Sequence, residues 1–276
     1  LLWSPVVFRL VYGRWPGRAE WELLQNAVQR QRPTTYAALN RLVLSSFDQK
    51  NYLTAFSVRL TAGDVQVVNY AGIKMAVDVA EPVISHEIRH NAYERHMVSF
   101  FQAVLRPGMK MIDIGANIGL FSLLAAKQVG PTGRVYSIEP RGENARLLLY
   151  SATLNRFDNI RLLPTAVGDH TGYTLYQTHI GANGALMTKP QDEEFGSVAI
   201  LHPTAQVVPM ARLDNLIEGP IDVVKLDIEG AEGMALRGAM ELIQGYRPLI
   251  TSEASMEMLD RVSGMTLRDY LLLTRN

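Results

Sequence analysis

Acidic side chains recur in this chain just beyond short apolar runs. Glu139 follows Arg134 to Ile138, Asp227 follows Ile221 to Leu226, and Glu253 follows Pro248 to Ser252. If those runs are parallel strands, all three acids stand at the carboxyl edge, where open α/β sheets bind their ligands. A fourth apolar run, Met109 to Ile114, leads into Asp113-x-Gly115-x-Asn117-x-Gly119 and then a helix-like stretch, Leu120 to Lys127. Glycines there let the backbone approach a ligand closely, and a helix start offers free N–H groups. Glu139 stands where such folds place an acid on both ribose hydroxyls. Asp227, Glu229 and Glu253 form a set suited either to general-base catalysis or to holding Mg²⁺ through oxygen, with Asp227 and Glu253 as the metal pair. Lys225 precedes Asp227 by two residues in a strand, so both side chains leave one face and the ammonium can position the acid.

The order of the glycine turn narrows the ligand. Dinucleotide folds use Gly-x-Gly-x-x-Gly to seat a pyrophosphate. Here an acid stands before the first glycine and an Asn replaces the middle one. A carboxylate repels a pyrophosphate but suits an ammonium or a hydroxyl, which favours S-adenosyl-L-methionine (SAM) over NAD. Asp113, Gly115, Asn117 and Gly119 are then expected at its methionine end, Glu139 at the ribose and Asp169 at the adenine amine. Structural readings stand beside these. The glycines can serve a plain strand-to-helix turn, Asp169 a turn beside Gly168, Asp227 a helix cap, and Glu232 the first turn of the next helix. His86 and His90 are four apart, a metal spacing on a helix, but no third ligand is evident. His179 and His202 lie in an irregular stretch and are alternative bases.

These residues need a frame of alternating strands and helices. Val65 to Val68 and Ile73 to Val79 suggest a hairpin. A helical run follows Pro82, with Tyr93, Met97, Phe100, Phe101 and Val104 at helical spacing. From Lys110 the pattern is strand and helix in turn: strands at Arg134 to Ile138 and Ile160 to Val167, a helix at Asn144 to Leu154, and a further strand at Thr171 to Gln177. Residues 178–205 are irregular and glycine-rich, and a loop of this length reads as a substrate-binding lid. Val207 to Leu216 is extended, and Thr266 to Leu273 helical. Residues 1–60 read as a helical N-terminal extension and 61–276 as the ligand-binding domain.

Composition sets outer bounds. The chain has 276 residues, 47% hydrophobic, with 27 basic and 27 acidic side chains and no cysteine. Disulfides, cysteine catalysis and cysteine-ligated metal are excluded, and a reducing cytoplasm is the expected location. No apolar stretch approaches the ~18 residues of a transmembrane segment. Zero net charge implies no polyanionic partner, although residues 1–60 carry eight Lys/Arg against three Asp/Glu.

The motifs together resemble a known family. Ile112 to Gly119, Ser137-Ile138-Glu139-Pro140, Ala166-Val167-Gly168-Asp169, Arg212-Leu213-Asp214 and Lys225-Leu226-Asp227-Ile228-Glu229-Gly230-Ala231-Glu232 occur in that order. From about residue 93 to 253 the chain closely resembles the FkbM family of SAM-dependent methyltransferases. The resemblance implies an α/β class I methyltransferase fold, a Rossmann-like doubly wound sheet, and methyl transfer to a hydroxyl of a sugar, glycolipid or polyketide-like product. It implies a small-molecule or glycan acceptor and no nucleic acid; a homo-oligomer and Mg²⁺ dependence stay open. Such folds end in an antiparallel strand pair, for which no room remains before Asn276, so an exposed sheet edge is expected. A non-catalytic SAM- or nucleotide-binding module of a surface-glycan assembly is the alternative, and an NAD-dependent oxidoreductase a further one.

Overall fold

The computed structural model describes residues 64–178, 184–186 and 205–274. The expected helical extension at 1–60, most of the 178–205 stretch, His179, His202 and Asn276 lie outside the described residues.

The chain enters through a hairpin of β1 (Val65–Tyr70) and β2 (Ile73–Asp78). Its two-residue turn puts both Ala71 and Gly72 at positive φ, which matches the twist of the flanking strands. The helical run after Pro82 is two helices, α1 (Ile84–Arg89) and α2 (Arg95–Val104). They are separated because Asn91 (φ 60°) and Glu94 (φ 39°) adopt left-handed conformations, which no right-handed helix can pass through.

Then come β3 (Lys110–Ile114), α3 (Leu120–Val129), β4 (Arg134–Ile138), α4 (Gly142–Asn155) and β5 (Ile160–Leu163). The single strand expected over Ile160 to Val167 is broken after Leu163. Pro164 has no N–H to give to a ladder, and β6 (Ala166–Val167) leaves for a second sheet. That sheet also holds β7 (Gly172–Thr178), β8 (Gly184–Leu186) and β9 (Ala205–Ala211), in the order β6-β9-β7-β8. The chain returns through β10 (Val223–Leu226), α5 (Glu232–Arg237), α6 (Met240–Tyr246), β11 (Leu249–Ser252) and α7 (Leu267–Leu273).

The central sheet is parallel, in the order β11-β10-β3-β4-β5. The order reverses direction at β3, and that switch point is where a doubly wound fold opens its ligand crevice. Side chains alternate between two cores, as the two-residue period of a strand requires. Met111 and Val223 face α2, α3 and α4; Ile112, Ile114, Val224 and Leu226 face α5 and α6. The hairpin is tied to the first of these layers. Ser151 Oγ on α4 accepts from the Ala76 N–H at 2.8 Å, and Asn155 on the same helix bonds both polar groups of the Lys74 backbone. Among the described residues β11 pairs only with β10, and Leu249 on it is 44% exposed, as expected of an uncovered edge.

Candidate functional site

The glycine turn sits at the carboxyl end of β3, against the ends of β4 and β10. Gly115 has φ 78°, and a Cβ there would lie 1.9 Å from the Asp227 carbonyl oxygen. Gly119 has φ 96° and would meet Leu148 Cγ at 2.5 Å. Both glycines are therefore demanded by chain-to-chain approach, before any ligand is considered. Asn117 adopts φ 51°, and its Oδ1 accepts from the Ile118 N–H at 2.8 Å.

Glu139 closes the other side. Its carboxylate accepts from the Asn117 N–H (2.9 Å) and the Arg141 N–H (2.8 Å). It is only 3% exposed, and burial pushes its pKa up to about 7 against those stabilising bonds. The Asn144 side-chain amide also donates to Oε1 at 3.4 Å, and three donors do not exhaust a carboxylate's acceptor sites, so a further hydroxyl can still be taken.

Between the turn and Glu139 lies a cavity of about 270 Å³, lined also by Tyr93, Glu94, Tyr176, Leu186, Lys225, Asp227, Glu229 and Glu253. Tyr176 of β7 and Gly184 and Leu186 of β8 thus form part of its wall. A second cavity, about 560 Å³, adjoins the first. Met97, Phe100 and Leu226 give it an apolar side, and His96, Thr251 and Ser252 a polar one. Glu94, Lys225, Asp227 and Glu253 line both cavities.

Lys225 and Asp227 share a face as expected, with Nζ 2.9 Å from Asp227 Oδ2. The same ammonium lies 3.7 Å from Asp113 Oδ1 and 5.1 Å from the centre of the Phe121 ring. Asp113 is wholly buried. Its Oδ2 accepts from Ser122 Oγ (2.6 Å), which in turn accepts from Ser137 Oγ (2.7 Å). The expectation that Asp113 holds the ligand is corrected: its carboxylate is enclosed behind the cavity, because β3 turns it toward α3, and it acts on Lys225.

Glu253 is pushed up to about 7, chiefly by the charge of neighbouring Asp227 and then by burial. Glu94 is raised by burial and by Asp227. Glu229 has φ 53° in the tight turn after β10, and Gly230 follows at φ 97° with no room for a Cβ beside the Met258 carbonyl oxygen. Glu232 Oε1 accepts from the Ile228 N–H at 2.9 Å, so this acid does stabilise the start of α5.

Asp169 is not brought into the cavity. Oδ2 takes Arg237 Nε at 3.2 Å and NH2 at 3.1 Å, and Oδ1 lies 2.9 Å from His170 Nδ1. Burial pulls its pKa up, but the hydrogen bonds from His170 and Arg237 and the Arg237 charge outweigh that and hold it below the ordinary value. Arg212-Leu213-Asp214 is likewise structural. Arg212 donates to the Asp169 carbonyl (3.0 Å), and Asp214 Oδ1 accepts from the Leu242 N–H (3.0 Å) at the start of α6.

The described residues give no support to the expected metal site. Among the described residues no three His, Asp or Glu side chains converge to hold an ion. Of the expected pair, Asp227 already has the Lys225 ammonium 2.9 Å from its Oδ2. His86 and His90 do not form a ligand pair either: His90 Nδ1 is 2.7 Å from the His86 carbonyl oxygen, with the rings 4.2 Å apart. No helix among the described residues is long and apolar enough to cross a membrane.

Tyr93 and Glu94 were not singled out from sequence as site residues. The periodicity around them reads as uninterrupted helix, and only the left-handed backbone at Glu94 turns its side chain into the cavities.

A five-stranded parallel sheet with its crevice at the β3 switch point, a glycine turn and a ribose-type acid after the second of its strands define a class I methyltransferase architecture. The methyltransferase FkbM domain matches residues 113–273, more than half of the chain, and the chain belongs to that family. A protein-L-isoaspartate O-methyltransferase of Ignicoccus hospitalis is 29% identical over 165 residues, 54% of this chain and 69% of that protein. The crystal structure of a methyltransferase FkbM from Methylobacillus flagellatus is 18% identical with a TM-score of 0.44, covering 93% of this chain and 52% of that one. A SAM-dependent O-methyltransferase of Thermotoga maritima is 14% identical with a TM-score of 0.37, covering 72% and 60%. The chain thus spans about half the length of the solved FkbM structure that it matches.

Proposed function

We propose that this chain is a SAM-dependent O-methyltransferase acting on a hydroxyl of a sugar, glycolipid or polyketide-like product. The observation that carries it is Glu139: a buried carboxylate held by the Asn117 and Arg141 N–H groups at the wall of a cavity whose other side is the glycine turn. SAM supplies a methyl group already activated on a sulfonium. Gly115, Asn117 and Gly119 would lie at its methionine end and Glu139 at its ribose.

The acceptor enters from the second cavity, whose mixed apolar and polar walls suit a ring with one hydrophobic face and hydroxyls at its edge. Asp227, steered by the Lys225 ammonium, takes the hydroxyl proton as the oxygen–methyl bond forms and the carbon–sulfur bond breaks. Glu229, in the turn after β10, lines the same cavity and is the alternative acid for that role. Acids outnumber bases at this opening, which disfavours a polyanionic acceptor such as RNA.

Calorimetric titration with SAM tests the reading. Wild type binds, Glu139→Ala loses binding by more than about a hundredfold, and Asp227→Asn binds SAM but does not turn over. Loss of SAM binding in Asp227→Asn would reassign that acid from chemistry to the cofactor.

A further inference from the structure

The reacting methyl group must be reachable from the cofactor side and from the acceptor side. Among the described residues only Glu94, Lys225, Asp227 and Glu253 line both cavities, and they frame that opening. A sulfonium placed there needs an anion facing it. Lys225 cannot serve, and its own charge is taken up by Asp113 at 3.7 Å and Asp227 at 2.9 Å. Asp227 faces the Lys225 ammonium and is committed to the acceptor hydroxyl, and Glu253 lies beside Asp227, whose charge acts on it.

Glu94 differs. The Tyr93 phenol beside it is kept un-ionised by burial and so can donate to its carboxylate. Its place is also enforced. Glu94 occupies the N-cap of α2 at φ 39°, ψ 45°, a left-handed conformation that a non-glycine residue keeps only where its surroundings hold it. It makes no side-chain cap bond in return. The segment is pinned from outside, since the Tyr93 carbonyl accepts from the Tyr70 hydroxyl of β1 and the Ala92 N–H reaches the Glu87 carbonyl at 2.9 Å. Strain held in this way at the rim of a cavity turns a carboxylate away from its helix and into the site.

On the SAM reading above, we propose that Glu94 is the anion that faces the sulfonium, and so the residue by which the protein distinguishes SAM from its demethylated product, S-adenosylhomocysteine. The two ligands share adenosine, ammonium and carboxylate. They differ by the methyl group and the positive charge on sulfur. Glu94 lies outside the stretch matched by the family, 113–273.

The test is calorimetric titration of the full chain with both ligands, for wild type, Glu94→Gln and Tyr93→Phe, with thermal melting to establish that each variant is folded. Glu94→Gln is expected to weaken SAM about tenfold while changing S-adenosylhomocysteine less than about twofold. Tyr93→Phe, which frees the carboxylate to swing, gives a smaller loss of the same selectivity. An equal loss of both ligands would place Glu94 at a group they share and overturn the assignment, as would no loss of either. A wild-type chain that binds neither ligand would instead overturn the cofactor reading, and the assignment with it.

Discussion

Lys225 on β10 stands directly opposite Asp113 on β3, in register across the parallel ladder, and the same ammonium reaches forward to Asp227. A fully buried carboxylate thus steers, through one lysine, an acid on the cavity wall. Burial opposes ionisation of both partners, and Lys225 is nevertheless held above its ordinary pKa because Asp227 and Asp113 outweigh the desolvation.

Removing one half of this pair should be worse than removing both. Lys225→Met leaves the Asp113 carboxyl enclosed without its cation, with an expected cost of about 3–5 kcal/mol. The double variant Lys225→Met/Asp113→Asn should recover much of that. Urea unfolding of the four proteins of the cycle measures it, and additive losses would mean that the two groups do not act as a pair.

Glu139 should make stability fall as pH rises. Its folded pKa, about 7, lies above the ordinary 4.5. Its contribution is therefore fully present below pH 4.5 and is lost as pH climbs through 7. The shift corresponds to about 3 kcal/mol at most. Glu139→Gln should flatten this part of the profile and be the more stable protein at pH 8, while losing SAM affinity. Denaturation at a series of pH values checks both halves.

SAM affinity should climb with pH through 7 more steeply than S-adenosylhomocysteine affinity does. A cationic ligand favours the ionised form of Glu253, which in the free protein holds its proton until about pH 7. Asp227, Glu229 and Glu94 face that carboxyl with their own negative charge. The Lys225 ammonium, paired with Asp227 beside it, acts in the opposite sense. Glu139 contributes a rise to both ligands, since both carry a ribose, so the difference between the two titrations isolates the acids at the shared opening. Parallel profiles would remove those acids from the neighbourhood of the sulfonium.

Gly119→Ala should destabilise the protein by about 2–3 kcal/mol, from strain at φ 96° and from collision with Leu148. Adding Leu148→Ala should relieve the collision but not the strain, and it opens a cavity of its own. The combined loss should therefore fall short of the sum. Thermal unfolding of the single and double variants measures the shortfall.

The sequence carried the parallel frame well, because strand and helix periods differ and the glycines mark each crossing. The acids after β4, β10 and β11 were legible for the same reason: strand ends are easy to place, and ligands bind at strand ends. Three things were not. Asp113 sits in a ligand-type motif, and only the pleat of β3 shows that it faces inward to Ser122 and Lys225. Asp169 was assigned by its place after a strand, whereas Arg237, distant in sequence, takes its carboxylate. Tyr93 and Glu94 were hidden because apolar spacing predicts continuous helix and carries no sign of a left-handed residue. The break at Pro164 was readable in principle: a proline inside an apolar run warns that the run does not pair throughout.

Gly115 and Asp227 touch so closely that a single methyl group would not fit between them. The turn after β3 and the acid-bearing turn after β10, far apart in the chain, therefore behave as one mechanical part. A graft that transplants either turn alone from a distant relative would inherit half of a joint. Recombination and design on this scaffold should treat residues 113–119 and 225–232 as a single inherited cassette.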